Sequence, residues 1–202
     1  MLERSFYQPP APQLALALIG KKLVRLQNGI RLTGIITETE AYQGELDLAC
    51  HARVGRTKRT ETMYAEAGHA YIYFTYGMHW LLNIVADQCD TPSAVLIRAI
   101  FPSEGLAQMA ERRPKFAYSA NWLNGPAKLT QALAIDGMLN GSDLCQRGST
   151  IWFEDGISVP TELIHTSARI GLGTTPEPWL SMPWRWRLSW EDAKELNLKT
   201  GI

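Results

Sequence analysis

The dipeptide Asn28-Gly29 constrains the fold of this chain more than any other feature. It stands between two apolar runs, residues 21–27 and 30–40. A two-residue hairpin turn of the right twist needs positive φ, which Asn and Gly adopt most readily. The two runs are therefore expected to pair as antiparallel strands. In the returning strand, alternation places Ile30, Leu32, Ile36, Glu38, Glu40 and Tyr42 on one face and Thr33, Ile35, Thr37 and Thr39 on the other. A largely apolar strand face thus ends in two carboxylates.

The remaining elements are read from the same signals. Pro9-Pro10-Ala11-Pro12 leads into a short helix at 13–19, closed by Gly20. Residues 43–69 are polar, carry glycines and show no periodicity, so they are expected to form a long loop, and loops of that length in a compact domain are usually functional or disordered. Residues 70–75 and 79–85 are expected to pair around Tyr76-Gly77-Met78, and 94–101 is a near-continuous apolar strand interrupted by Arg98. Helices are expected at 104–113, started by Ser103, and at 126–135, where Pro126 suits the first helical position and Gly137 the C-terminal cap. Segments 151–154, 164–170 and 184–190 read as strands. The order of elements does not alternate strand and helix regularly. It fits an α+β fold: one domain over residues 1–202, with a mixed, largely antiparallel sheet, peripheral helices and a protruding hairpin.

Composition narrows the function classes. Twenty Lys and Arg balance twenty Asp and Glu, whereas DNA-binding domains are usually basic overall. The local distribution points the other way: residues 48–60 contain no acid and hold Arg53, Arg56, Lys58 and Arg59. That stretch reads either as a basic face or as a solvated loop. No apolar run approaches the ~18–20 residues of a membrane helix. The prolines and Glu3 ahead of Leu14-Ala15-Leu16-Ala17-Leu18-Ile19 make a poor secretion signal, so a cytoplasmic location is expected. Cys50, Cys89 and Cys145 are odd in number and widely spaced, which suggests neither a disulfide framework nor a zinc site. No phosphate-binding Gly-rich loop, nucleophile elbow or metal-ligand spacing is present, and no cofactor is expected.

Glu40 is the leading catalytic candidate. A carboxylate at the inner end of a strand is partly desolvated, which raises its pKa toward that of a useful general base; the competing reading is a surface acid at a strand end. Glu38 is a partner acid or a structural acceptor. Arg98 lies in too apolar a run to stand alone, and Glu38 or Glu40 is its natural partner. Asn83, amid Trp80-Leu81-Leu82 and Ile84-Val85, either finds a partner or faces water. Tyr42, His51, Tyr71 and Tyr73 read as core aromatics or as a grip for a flat ligand. Tyr76 differs, because a hairpin tip offers little core to join and suits a wedge or platform for bases. Arg169-Ile170-Gly171-Leu172-Gly173 is a place where backbone can approach a ligand closely. Core and face packing accounts for Trp179, Trp184, Trp186 and Trp190.

Five motifs, in this order and spacing, resemble the alkyladenine (3-methyladenine) DNA glycosylases in their short bacterial form: Glu38-Thr39-Glu40-Ala41-Tyr42, Ala49-Cys50-His51-Ala52-Arg53, Tyr73-Phe74-Thr75-Tyr76-Gly77-Met78, Leu96-Ile97-Arg98-Ala99 and Asn124-Gly125-Pro126-Ala127-Lys128-Leu129. The resemblance spans residues 6–190. It implies a base-excision-repair enzyme that flips alkylated or deaminated purines from damaged double-stranded DNA. It implies Glu40 as the base that activates water, Arg98 as a second holder of that water, and the backbone near Ile170 closing the site. Tyr42 and His51 would stack on one face of the flipped base and Tyr73 on the other, with Asn83 at the border discouraging guanine's exocyclic amine. Tyr76, with Met78 beside it, would fill the gap in the duplex, and Arg53, Arg56 and Lys128 would meet phosphates. The motifs hold no imine-forming lysine, so a monofunctional enzyme without strand cleavage is expected, acting as a monomer without an obligatory protein partner. The alternatives are a non-catalytic nucleic-acid-binding module, and a small-molecule hydrolase using Glu38 and Glu40 as paired acids.

Overall fold

The computed structural model describes residues 1–200. Strands β1 (Lys22–Gln27) and β2 (Ile30–Gln43) form the expected hairpin, with Gln27 opposite Ile30 and positive φ at Asn28 and Gly29. Strands β3 (Ala70–Thr75) and β4 (His79–Val85) have the expected boundaries, and β5 (Ser93–Glu104) is longer than its apolar run. With β6 (Ile151–Glu154), the main path of the sheet runs β3-β4-β5-β2-β1-β6. Two short strands, β7 (His165–Ser167) and β8 (Arg185–Arg187), attach through β8 to β2. Among the described residues every strand pairing is antiparallel and there are four α-helices, so the fold is α+β.

Strand β2 is the axis of the molecule. Its first half pairs with β1, its second half with β8, and β5 runs along its other edge. Both faces are covered, so Leu32 to Ala41 are all buried. This decides against the competing reading of a surface acid at a strand end: Glu38 and Glu40 are buried in the middle of a sheet. Helix α1 (Ala11–Leu18) covers one face with Leu14, Ala15 and Leu18. Each such leucine contributes about 1.5–3 kcal/mol by leaving water. The Thr39 hydroxyl donates to the Ala15 carbonyl on that side at 2.9 Å. The glutamates point to the other side.

Two bulges aim that other side. Ile36 pairs with Ile100 and Glu38 with Ala99, so Thr37 has no opposite number. Thr39 then pairs with Ile97, so Arg98 is the extra residue on β5. A bulge of this kind re-aims a side chain next to a site, and here it turns Arg98 toward both glutamates.

The helical expectations need correction. Helix α2 (Leu106–Arg112) starts after Gly105 rather than at Ser103, because β5 continues through Ser103, whose hydroxyl pairs with that of Thr33 at 2.6 Å. Helix α3 (Pro126–Ala132) begins at Pro126 but ends before Gly137, the left-handed residue after it being Ala134. Gly137 instead admits Trp80: a Cβ there would stand 2.5 Å from the indole. The strand expected over 184–190 is only three residues long, and α4 (Trp190–Thr200) follows it. Ser189 opens α4 as a cap: its hydroxyl accepts from the Asp192 N–H at 3.0 Å. Among the described residues no helix is long and apolar enough to cross a membrane.

Candidate active site

Glu40 is fully buried, and three donors meet its carboxylate. The Ile170 N–H reaches Oε1 at 2.7 Å, the Tyr42 hydroxyl reaches Oε2 at 2.8 Å, and Arg98 Nη1 lies 3.3 Å from Oε1. Burial raises its pKa above the ordinary carboxylate value, opposed by Arg98, the Ile170 N–H and the Tyr42 hydroxyl and reinforced by Glu38. Burial works against the Arg98 cation, but Glu40 and Glu38 outweigh it and hold its pKa up. Glu38 answers its own ambiguity: Oε1 accepts from Arg98 Nε at 2.7 Å and from Arg185 Nε at 2.6 Å. It is an acceptor between two guanidinium groups rather than one of two cooperating acids.

A cavity of about 340 Å³ opens over this cluster, lined among others by Tyr42, His51, Tyr71, Tyr73, Tyr76, Asn83, Arg98 and Ile170. Its size falls in the range of small-ligand sites. Glu40 is not part of the wall; it lies directly behind Tyr42, Arg98 and Ile170, the three residues that bind it. Asn83 is buried and donates to the Tyr71 carbonyl at 3.0 Å. His51 Nδ1 lies 2.9 Å from the Tyr71 hydroxyl. Burial, then Arg59 and Arg53, push the His51 pKa down to about 4, so the ring is neutral at pH 7. His51 and Tyr73 touch edge to face with centroids 4.5 Å apart, so no gap for a flat ligand separates these two rings as they stand.

The expected site residues come together unevenly. Tyr42, His51, Tyr73, Asn83, Arg98 and Ile170 share one cavity. Tyr76 and Met78 stand at the hairpin tip, 84% and 68% exposed. Tyr76 holds φ at +50°, a conformation unfavourable for a bulky side chain. Of the basic residues, Arg53 donates to the Leu48 carbonyl, Arg56 is 3.3 Å from Asp90, and Lys128 donates to the Asn124 side chain at 2.5 Å. Arg59, singled out only as part of the basic stretch, lies over the Tyr73 ring and 3.4 Å from His51 Nε2. Among the described residues no group of three His, Cys, Asp or Glu is placed to hold a metal.

The comparisons decide the family. The family model described as Methylpurine-DNA glycosylase (MPG) matches residues 5–192. The chain belongs to the methylpurine-DNA glycosylase family. Among its relatives, a protein of Chlorobaculum parvum is 47% identical over 91% of this chain and 85% of its own length. One of Methanocella arvoryzae is 43% identical over 92% and 90%, and one of Clostridium perfringens 39% identical over 98% and 99%. All three carry the name "Putative 3-methyladenine DNA glycosylase". As a member of that family the chain is a DNA-repair hydrolase of the class that cleaves N-glycosidic bonds. Asp47 and Arg169 form a fully buried ion pair at 2.6 Å; the sequence marks Arg169 only as the first residue of a Gly-rich segment, and Asp47 not at all.

Proposed function

We propose that the protein removes alkylated or deaminated purines, of the 3-methyladenine, hypoxanthine and ethenoadenine class, from duplex DNA by hydrolysis with a Glu40-activated water. The observation that carries this reading is the buried Glu40 carboxylate, held by three donors immediately behind an aromatic cavity.

The damaged nucleotide swings out of the duplex at a cost of a few kcal/mol, less where the base pairs badly. Tyr76 enters the gap and Met78 supports it. The base enters the cavity as His51 and Tyr73 part, and stacking returns about 1–3 kcal/mol. A cationic alkylated purine is further attracted to the electron-rich rings. Asn83 borders the base edge. The C1′–N bond then breaks with its electron pair leaving on the base nitrogen, and the sugar gains oxocarbenium character. A water held between Glu40, Arg98 and the backbone at Ile170 bonds to C1′ and passes its proton to Glu40. General-base assistance is worth about 10²–10⁴-fold. Among the described residues no lysine lines the cavity, which supports hydrolysis without an imine and hence without strand cleavage. Arg53, Arg56 and Lys128 are the phosphate contacts; Arg56 and Lys128 first leave their present partners. The substrate is duplex DNA in the cytoplasm, or at the nucleoid in a bacterium, and one copy of the chain suffices.

Duplexes carrying one 3-methyladenine, hypoxanthine or ethenoadenine test the reading, with the released material analysed directly. The expected products are free base and an unbroken abasic strand. Tight binding to these duplexes without base release would instead favour a binding module, and strand cleavage would require an amine nucleophile.

A further inference from the structure

Glu40 is held by groups that themselves need holding. A backbone N–H in a loop and a tyrosine ring at the end of a strand give a carboxylate constant geometry only if something fixes both. Arg169 touches both. Its guanidinium lies over the Tyr42 ring at 4.9 Å and over the Trp184 ring at 5.1 Å. The next residue along the chain supplies the N–H that meets Glu40 at 2.7 Å. Nη1 donates to Asp47 Oδ2 at 2.6 Å and to the Ala41 carbonyl at 2.9 Å, and Nη2 to Asp47 Oδ1 at 3.0 Å and to the Trp179 carbonyl at 3.0 Å. Asp47 in turn accepts from the backbone N–H groups of Gln43 and Ala49 at 3.2 and 3.0 Å, and its carbonyl accepts from Cys50, next to His51.

We infer that the Asp47–Arg169 pair is the positioning element of the catalytic carboxylate, setting the Ile170 N–H and the Tyr42 hydroxyl against Glu40. The inference rests on the reading of Glu40 as the base. Replacing a fully buried pair by neutral residues is often tolerated, whereas removing one partner leaves an uncompensated charge. A pair that served folding alone would thus be dispensable once both charges are gone. This pair also occupies a geometric post: a fork of donors binds one carboxylate and two carbonyls while its flat face supports a ring, which lysine does not reproduce. Displacing the Ile170 N–H removes a group that favours ionised Glu40, so the Glu40 pKa rises.

The test compares Asp47→Asn/Arg169→Gln and Arg169→Lys with the unaltered protein in single-turnover excision of hypoxanthine across pH, alongside duplex affinity and thermal unfolding. The expected result is a folded protein with unchanged affinity for the lesion duplex, excision slower by about 10–100-fold as for a small misplacement of a reacting group, and an acid limb moved to higher pH. Arg169→Lys keeps the charge, so it remains folded while showing the same slowing and the same limb shift. An unaltered rate and limb in either folded variant overturns the inference. Glu40→Gln, assayed in parallel, separates the two readings. If it excises normally, the base assignment fails; if it is inactive while the pair variants are normal, the positioning role alone fails.

Discussion

The base of the cavity and the tip of the β3–β4 hairpin sit a few residues apart on the same sheet and are built on opposite principles. Around Glu40 every carboxylate is buried and answered: Glu38 by Arg98 and Arg185, Glu40 by Arg98 and two further donors, Asp47 by Arg169. At the tip nothing is answered. Tyr76 and Met78 project into water, and Tyr76 holds a conformation that favours glycine. Chemistry on one bond needs donors and acceptors fixed in advance, because organising them during the reaction adds to the barrier. A wedge needs only to be exposed, stiff and apolar. On the wedge reading proposed for Tyr76, strain at the tip is what function rather than stability would maintain.

If this contrast is right, substitutions in the two regions should fail in opposite ways. The largest effect is expected at Arg98. Arg98→Ala leaves Glu40 buried without its cation, which costs about 3–5 kcal/mol. That lowers the melting temperature by roughly 10 °C in a domain of this size, and excision falls with it. A melting temperature within a degree or two of the unaltered protein would mean the cluster is not the rigid region described. Tyr76→Gly should do the reverse. Thermal stability holds or rises because φ of +50° suits glycine, while affinity for a lesion duplex weakens by about 1–3 kcal/mol of lost stacking. Equal affinity with and without the tyrosine ring would remove the wedge. His51→Gln gives the smallest change in pH dependence. With a pKa of about 4, His51 is already neutral wherever Glu40 is ionised enough to act. The acid limb of the excision profile should therefore stay in place even though stacking is weakened; a limb that moves would make His51 the titrating group.

The fold was legible wherever the signal was local. Asn28-Gly29 marks a turn by two residues that accept positive φ, Tyr76-Gly77-Met78 by its glycine alone, and both hairpins have the expected ends at the turn. The 104–113 and 126–135 helices were misjudged at their ends because tertiary packing decides them: Ser103 is held in β5 by Thr33, and Gly137 makes room for Trp80. Helix α4 was missed although Ser189 and Asp192 stand at capping spacing, because the preceding tryptophans read as strand. The site divides in the same way. Arg98 announced itself by being charged in an apolar run, and its partners followed from charge alone. That it reaches them through a bulge had no sequence signal. Alternation along β2 suggested two distinguishable faces, while helix α1 and the segments packed opposite it bury both. Asp47 and Arg169 lie 122 residues apart, and neither has a neighbour that hints at the other.

The central claim is that Glu40 supplies the base for water attack, and single-turnover excision by Glu40→Gln tests it most directly. With a hypoxanthine duplex, the unaltered protein should release free base with a rate that rises with pH as Glu40 ionises, through a limb displaced upward from the ordinary carboxylate value by burial. Glu40→Gln should bind the same duplex as tightly, release base about 10²–10⁴-fold more slowly above the limb, and show no limb of its own, so that the two rates converge at low pH. Release at the unaltered rate, with the limb still present, would contradict the account.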